Sequence, residues 1–173
     1  MTLSPSFLLA PHFTAHELRA DTPGIPATAE ANLFKTAAWL EAARATLGVP
    51  LVITSGYRSP TYNASVGGSR TSDHVTGLAA DFKAQGLSPF RVYEIFKTAP
   101  LPSFDQIIFY PVTGHIHVGL GARMRGEFRI ALAEGGYPLL TPELAAKLRG
   151  AMPVLLILLL VGLLVYAVAQ KGA

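Results

Sequence analysis

SDHVTGLAADF, residues 72–82, is the stretch on which the reading of this 173-residue chain turns. It holds His74 and Asp81 seven positions apart, with Gly77 between them and the small residues Ala79 and Ala80 before the acid. Leu78 to Lys83 predicts a strand. Strand side chains alternate, so Asp81 shares a face with Ala79 and Lys83, while Leu78, Ala80 and Phe82 take the other. Gly77 permits a bend that brings His74 back toward Asp81. A second stretch, GHIHVGL at 114–120, sets His115 and His117 two apart in an apparent strand, hence on one face. If the two strands are neighbours, Asp81 approaches the His pair and His74 reaches the same point. Two His and one Asp converging on a strand face form a zinc-type donor set. Three protein ligands and an open fourth position make the catalytic arrangement, in which the ion acidifies water and polarises a carbonyl. Taken singly, H-x-H is an ordinary polar strand face, and an Asp after a bend is a cap or turn residue. The two motifs together carry the reading.

Around these stretches, residues 31–47 predict the best soluble helix: Leu33, Ala37, Leu40 and Leu47 follow helical spacing, and Gly48 and Pro50 stop it. PLVITSGYR (50–58) reads as a strand, and SPTYNASVGGSRTS (59–72) as a long polar loop. Ser88-Pro89 opens a second helix over 89–98. DQIIFYP (105–111) and GHIHVGL predict two strands joined by a turn at Val112 to Gly114. Residues 1–30 read as an extended lead-in with a short helix near His16 to Arg19. Thr141-Pro142-Glu143 starts a last soluble helix. The fold class expected is α+β: a small antiparallel sheet carrying the zinc site, packed helices, and one C-terminal transmembrane helix.

That last element rests on Ala151 to Ala169, nineteen residues without a charge. As a helix they would span about 28 Å, near the thickness of a bilayer core. No signal peptide is read at the start. The expected organisation is therefore a soluble domain over 1–150 and a tail anchor over 151–173. Net charge is +3 with scattered basic residues, which argues against a nucleic-acid partner. The absence of cysteine excludes disulfides, zinc ribbons and thiol catalysis.

The pattern Ser72-x-His74-x-x-Gly77-x-Ala79-x-Asp81 resembles the first zinc motif of the M15 peptidases, a family of D-Ala-D-Ala carboxypeptidases and peptidoglycan endopeptidases. His115-x-His117 is similar to the second motif of the wider group that includes lysostaphin-like enzymes and the hedgehog signalling domain. FTAHEL (13–18), TSGYRSPTYN (54–63), VGGSRTSDHVTGLAADF (66–82) and FDQII…HVGL (104–120) resemble, in order, a phage and bacterial branch of the family. The resemblance covers roughly residues 13–125. It implies zinc bound by His74, Asp81 and His117. It implies that Arg58 holds the substrate or a developing oxyanion, with a structural ion pair as the other reading. Ser72 is expected to orient the loop or a ligand and, with Arg58 and Tyr110, to border the substrate. Asp105 and Gln106 match a pair whose role is structural. Tyr57 and Tyr62 either line the cleft or pack.

One departure matters. Many relatives carry a glutamate about six residues before the last zinc His, where this chain has Phe109, Tyr110 and Pro111. No acid lies between Asp105 and Glu127. His115, on the face of His117, is the candidate to replace it as catalytic residue, and Tyr110 a candidate hydrogen-bond donor. The function expected is a zinc-dependent peptidase of peptidoglycan stem peptides, of phage origin, used in wall penetration or lysis. Its location would be a virion internal membrane or the host inner membrane, through a lipid-embedded C-terminal helix. The competing expectation is a weakly active or inactive zinc-stabilised wall-binding or structural protein of a membrane-containing virion.

Overall fold

The computed structural model describes residues 3–132 and 135–150. The elements run β1 (Leu8–Ala10), β2 (Phe13–Thr14), α1 (Ala27–Leu47), β3 (Leu51–Ser55), α2 (Pro60–Ser65), a 3-10 turn (Asp73–Thr76), β4 (Ala79–Ala84), α3 (Pro89–Phe96), β5 (Gln106–Phe109), β6 (Ile116–Gly119) and β7 (Glu127–Ile130). The chain divides into two compact units after Leu139. The first holds both sheets and the site. In the second, residues 142–150 are helical, and Thr141 Oγ1 accepts the Leu144 N–H at 3.2 Å to start the helix.

The main sheet has the strand order β3-β4-β6-β5-β7, and β1 and β2 form a separate two-stranded sheet. The sheet is mixed rather than antiparallel, because β7 pairs parallel with β5. The β5–β6 hairpin reverses the chain. A strand that leaves β6 and returns along the free edge of β5 must then run with β5. β7 reads EFRI, with two charges in four residues, and gives no strand signal in the sequence.

Strand register sorts the side chains into two transverse rows. One row is Ser55, Asp81, His117, Ile108 and Arg129, each paired with the next across the five strands. The adjacent row, Phe82, Ile116, Phe109 and Ile130, is one residue along and points to the opposite face. All four of its members are at most 1% exposed. Burying four such side chains supplies much of the drive for the sheet, at roughly 1.5–3 kcal/mol each. The core row therefore enforces the register that places Asp81 beside His117.

Helix α1 buries Ala29, Leu33, Thr36, Ala37, Leu40, Ala43 and Leu47, a stripe at three- and four-residue spacing. Gly48 ends it at φ 67°, its N–H bonded to the Arg44 carbonyl. The Trp39 indole donates to the Pro102 carbonyl at 3.1 Å, tying α1 to the segment before β5. Helix α3 is capped by Ser88, whose Oγ accepts the Arg91 N–H.

Several expectations are corrected. The helix expected near His16 to Arg19 is a series of turns after the β1–β2 pair. The loop read over 59–72 begins with α2, which Ser59 caps and Pro60 opens. The transmembrane helix expected over 151–173 lies outside the described residues. No helix among the described residues is long and apolar enough to cross a membrane. The single-pass anchor in a virion or host membrane, and the lipid partner that went with it, thus have no support among the described residues.

Candidate metal centre

His74 sits in the 3-10 turn, which Ser72 caps by accepting the His74 N–H on Oγ at 3.4 Å. The turn hangs from α1. Thr36 Oγ1, fully buried, donates to the Gly77 carbonyl at 2.8 Å, and Asn32 Nδ2 donates to the Thr76 carbonyl at 3.0 Å. Gly77 closes the turn at φ +73°, and a Cβ there would lie 2.3 Å from the Ala29 carbonyl oxygen. Only glycine meets both conditions. The His74 ring is buried, and its Nδ1 lies 2.7 Å from the Gly56 carbonyl. A carbonyl only accepts, so Nδ1 carries a proton, and Nε2 is the nitrogen whose lone pair would serve an ion. Gly56 in turn packs its bare backbone on Leu18, whose carbonyl would be 2.2 Å from an added Cβ.

That lone pair faces two more donors. His74 Nε2 is 3.2 Å from Asp81 Oδ1 and 3.2 Å from His117 Nδ1, and the last two atoms are 2.8 Å apart. His74, Asp81 and His117 are the group among the described residues whose ligand atoms converge closely enough to hold a metal ion. A tetrahedral zinc with bonds of about 2.0–2.1 Å needs ligand atoms roughly 3.3 Å apart, so the triangle fits. The carbonyl behind His74 is the kind of outer partner that sets a ligand tautomer. Burial pushes the Asp81 pKa up, but hydrogen bonds and charge from His117 and His74 outweigh it and hold the carboxylate far below its ordinary range.

The triad opens on a cleft of roughly 820 Å³ whose lining includes Arg58, Ser72, Asp73, Tyr110 and His115. The expected site residues are thus gathered in one place. Arg58 Nη2 donates to Asp81 Oδ2 at 2.5 Å and its Nε to Ser55 Oγ at 2.9 Å. The ion pair read as one of its two possible roles is present, and the guanidinium also faces the cleft. His115 stacks on Tyr110, with ring centroids 4.0 Å apart and planes at 17°. Its Nδ1 lies 2.6 Å from Thr113 Oγ1. Burial lowers the His115 pKa, and His117, Lys83 and Arg58 add to this while Asp81 opposes it. Burial raises the Tyr110 pKa, and a hydrogen bond with Tyr137 adds to it, so the phenol stays protonated. Tyr62 borders a smaller depression of roughly 250 Å³ beside Arg58, Asp81 and His115, whereas Tyr57 is buried.

Other residues escaped the sequence reading. Asp73 falls at an unassigned position of the motif, yet its half-buried carboxylate lies in the cleft and accepts the Gly121 N–H. Burial raises its pKa, with Asp105 adding to the effect and His117 and His74 opposing it. Ser55 holds Arg58 from directly opposite Asp81. The wall beyond β6 brings in Arg123, Arg125, Arg129 and Tyr137. The three arginines are signalled only by their run in GARMRGEFR (121–129), and Tyr137 lies outside it.

Residues 11–119 match the model of the family described as Peptidase M15. The chain belongs to the M15 peptidase family. Within it, the sequence is 44% identical over 59 residues to the zinc D-Ala-D-Ala carboxypeptidase of Streptomyces albus G. The matched stretch is 34% of this chain and 23% of that relative, so it spans under a quarter of the relative's length. Phe109, Tyr110 and Pro111 stand where the resemblance led one to expect an acid. The stacked Tyr110–His115 pair fills that side of the cleft.

Proposed function

We propose that the chain is a zinc-dependent peptidase of peptidoglycan stem peptides. The observation that carries this is the triad: three donor atoms 2.8–3.2 Å apart, open to a large cleft, in a member of this family. His74, Asp81 and His117 would hold the ion. When bound, zinc supplies an acidified water and a Lewis acid for the scissile carbonyl. The chain's own groups do the rest. Arg58, fixed through Nη2 and Nε, keeps Nη1 for the oxygen that gains charge. His115, with Nδ1 hydrogen-bonded to Thr113 Oγ1, would, in the tautomer that has the proton on Nδ1, offer Nε2 to accept the proton of the attacking water and pass it to the leaving amine. Protonated Tyr110 orients that ring by stacking, and its hydroxyl, hydrogen-bonded to Tyr137, borders the substrate. Ser72 keeps His74 in place. Use by a phage in wall penetration or lysis is supported by the resemblance of the motifs to the phage branch.

The test is incubation of the zinc-loaded chain with purified peptidoglycan, with released fragments read by mass spectrometry. Fragments should form, and chelation should abolish them. His115→Ala should lower the rate about a hundredfold or more while zinc stays bound at one equivalent. A folded, zinc-loaded chain that releases nothing would instead favour a wall-binding or structural role.

A further inference from the structure

The wall of the cleft beyond β6 carries three arginines, and they are not equivalent. Arg125 spans Asp105, with Nε to Oδ1 at 2.8 Å and Nη2 to Oδ2 at 2.7 Å. Arg129 is held by Glu127 at 2.6 Å and by the Tyr137 carbonyl at 2.7 Å. Arg123 is exposed, lines the cleft, and makes no hydrogen bond or ion pair with any described residue. The acids nearby make no hydrogen bond to it: Asp81 carries Arg58, Asp105 is taken by Arg125 and feels the Arg123 charge only through space, and Asp73 is turned onto the Gly121 amide.

The loop does not leave Arg123 loose. Its backbone forms a turn from Gly121 to Met124, closed by the Met124 N–H on the Gly121 carbonyl at 3.3 Å. The Gly121 N–H is bonded to Asp73, and the Arg125 N–H reaches Asp105 Oδ1 at 3.3 Å, so both ends are tethered. Met124 adopts φ 45°, a left-handed conformation that costs a non-glycine residue on the order of 1 kcal/mol. The turn is thus anchored and strained, with Arg123 near its tip. It also lies past residue 119, where the family match ends.

We propose that Arg123 is a specificity residue that grips a carboxylate of the bound peptide. The proposal rests on the peptidase reading of the same cleft. A guanidinium at the rim whose N–H groups bond no described residue presents a fork matched to a carboxylate. Two sources offer that group: the terminal carboxylate of a peptide cut near its end, or an acidic side chain of a peptide cut internally. Both place a negative charge at a fixed distance from the scissile bond, which is what a tethered turn can measure.

The experiment uses the zinc-loaded full chain and three synthetic stem-like peptides. One has a free C-terminus and a free acidic side chain, one is amidated at the C-terminus, and one is amidated at the side chain. Cleavage kinetics and calorimetric binding are measured for wild type, Arg123→Gln and Arg123→Lys. Wild type should prefer the free acid over one of the amides by about tenfold or more, mainly through KM. The amide that loses names the source of the carboxylate. Arg123→Gln should collapse that preference to within about twofold, with Arg123→Lys between the two. A wild-type preference that survives in Arg123→Gln overturns the proposal, as does a variant that slows all three peptides alike. If wild type cuts none of them, the peptidase reading fails separately, and the same ratios in the binding constants decide the role of Arg123.

Discussion

Asp81 and Asp105 are both buried aspartates with an arginine on each, and they do different things. Arg125 takes both oxygens of Asp105, and its own backbone N–H adds a third bond. Nothing on that carboxylate is left to give. Arg58 takes only Oδ2 of Asp81, while Oδ1 is turned to two imidazoles. The first pair is a staple that holds the loop after β6 to the start of β5. The second keeps one oxygen for an ion and uses the arginine to aim it. Which oxygens an arginine occupies, rather than the presence of an ion pair, separates structure from chemistry here.

The largest test removes the reserved oxygen. Asp81→Asn should drop bound zinc from one equivalent to near none, and peptide release by at least about a thousandfold. Metal analysis beside the fragment assay checks this. If zinc stayed at one equivalent, the comparison would lose its basis. Next comes the seat of His74, which only the Asp81 side depends on. Gly77→Ala puts a Cβ 2.3 Å from the Ala29 carbonyl at φ +73° and should cost about 2–4 kcal/mol in a urea titration. Asp105→Asn should be milder: zinc stays bound, and the melting midpoint falls by on the order of a few degrees.

The smallest effect sharpens the contrast through pH. The Arg125 hydrogen bond holds the Asp105 pKa below its ordinary value, with burial opposing. A carboxylate with a depressed folded pKa stabilises fully above its unfolded value, about 3.9. That contribution fades as pH falls through the lower folded value. The gap in melting midpoint between wild type and Asp105→Asn should therefore be constant above about pH 5 and shrink below about pH 4. A gap that instead widened on acidification would contradict the assigned role of Arg125.

Much of the site was legible because strand alternation is local arithmetic. His74, Asp81 and the His115–His117 pair were placed together from a bend, a period of two and the assumption that two strands are neighbours; the family resemblance singled out His117, and the register pairs it with Asp81. The helices over α1 and α3 announced themselves through apolar spacing and stop residues. What stayed hidden depends on tertiary pairing. β7 is too short and too charged to signal a strand, so the parallel edge of the sheet was missed. Ser55 and Thr113 act through single hydroxyl contacts that no spacing encodes. Asp73 stood at an unassigned position between Ser72 and His74. The β1–β2 pair was lost in a stretch rich in turn residues, where two short strands give no usable period.

The hydrogen bonds that hang the His74 turn from α1 have one more consequence. Thr36 and Asn32 bond the carbonyls that follow His74, so the long helix and the metal ligand open as one cooperative unit. An ion held by His74, Asp81 and His117 would then act as a thermodynamic ligand of the whole sheet-and-helix assembly. Each tenfold rise in free zinc above the dissociation constant would raise its resistance to unfolding by about 1.4 kcal/mol. Amide exchange along α1 should therefore slow when zinc is added.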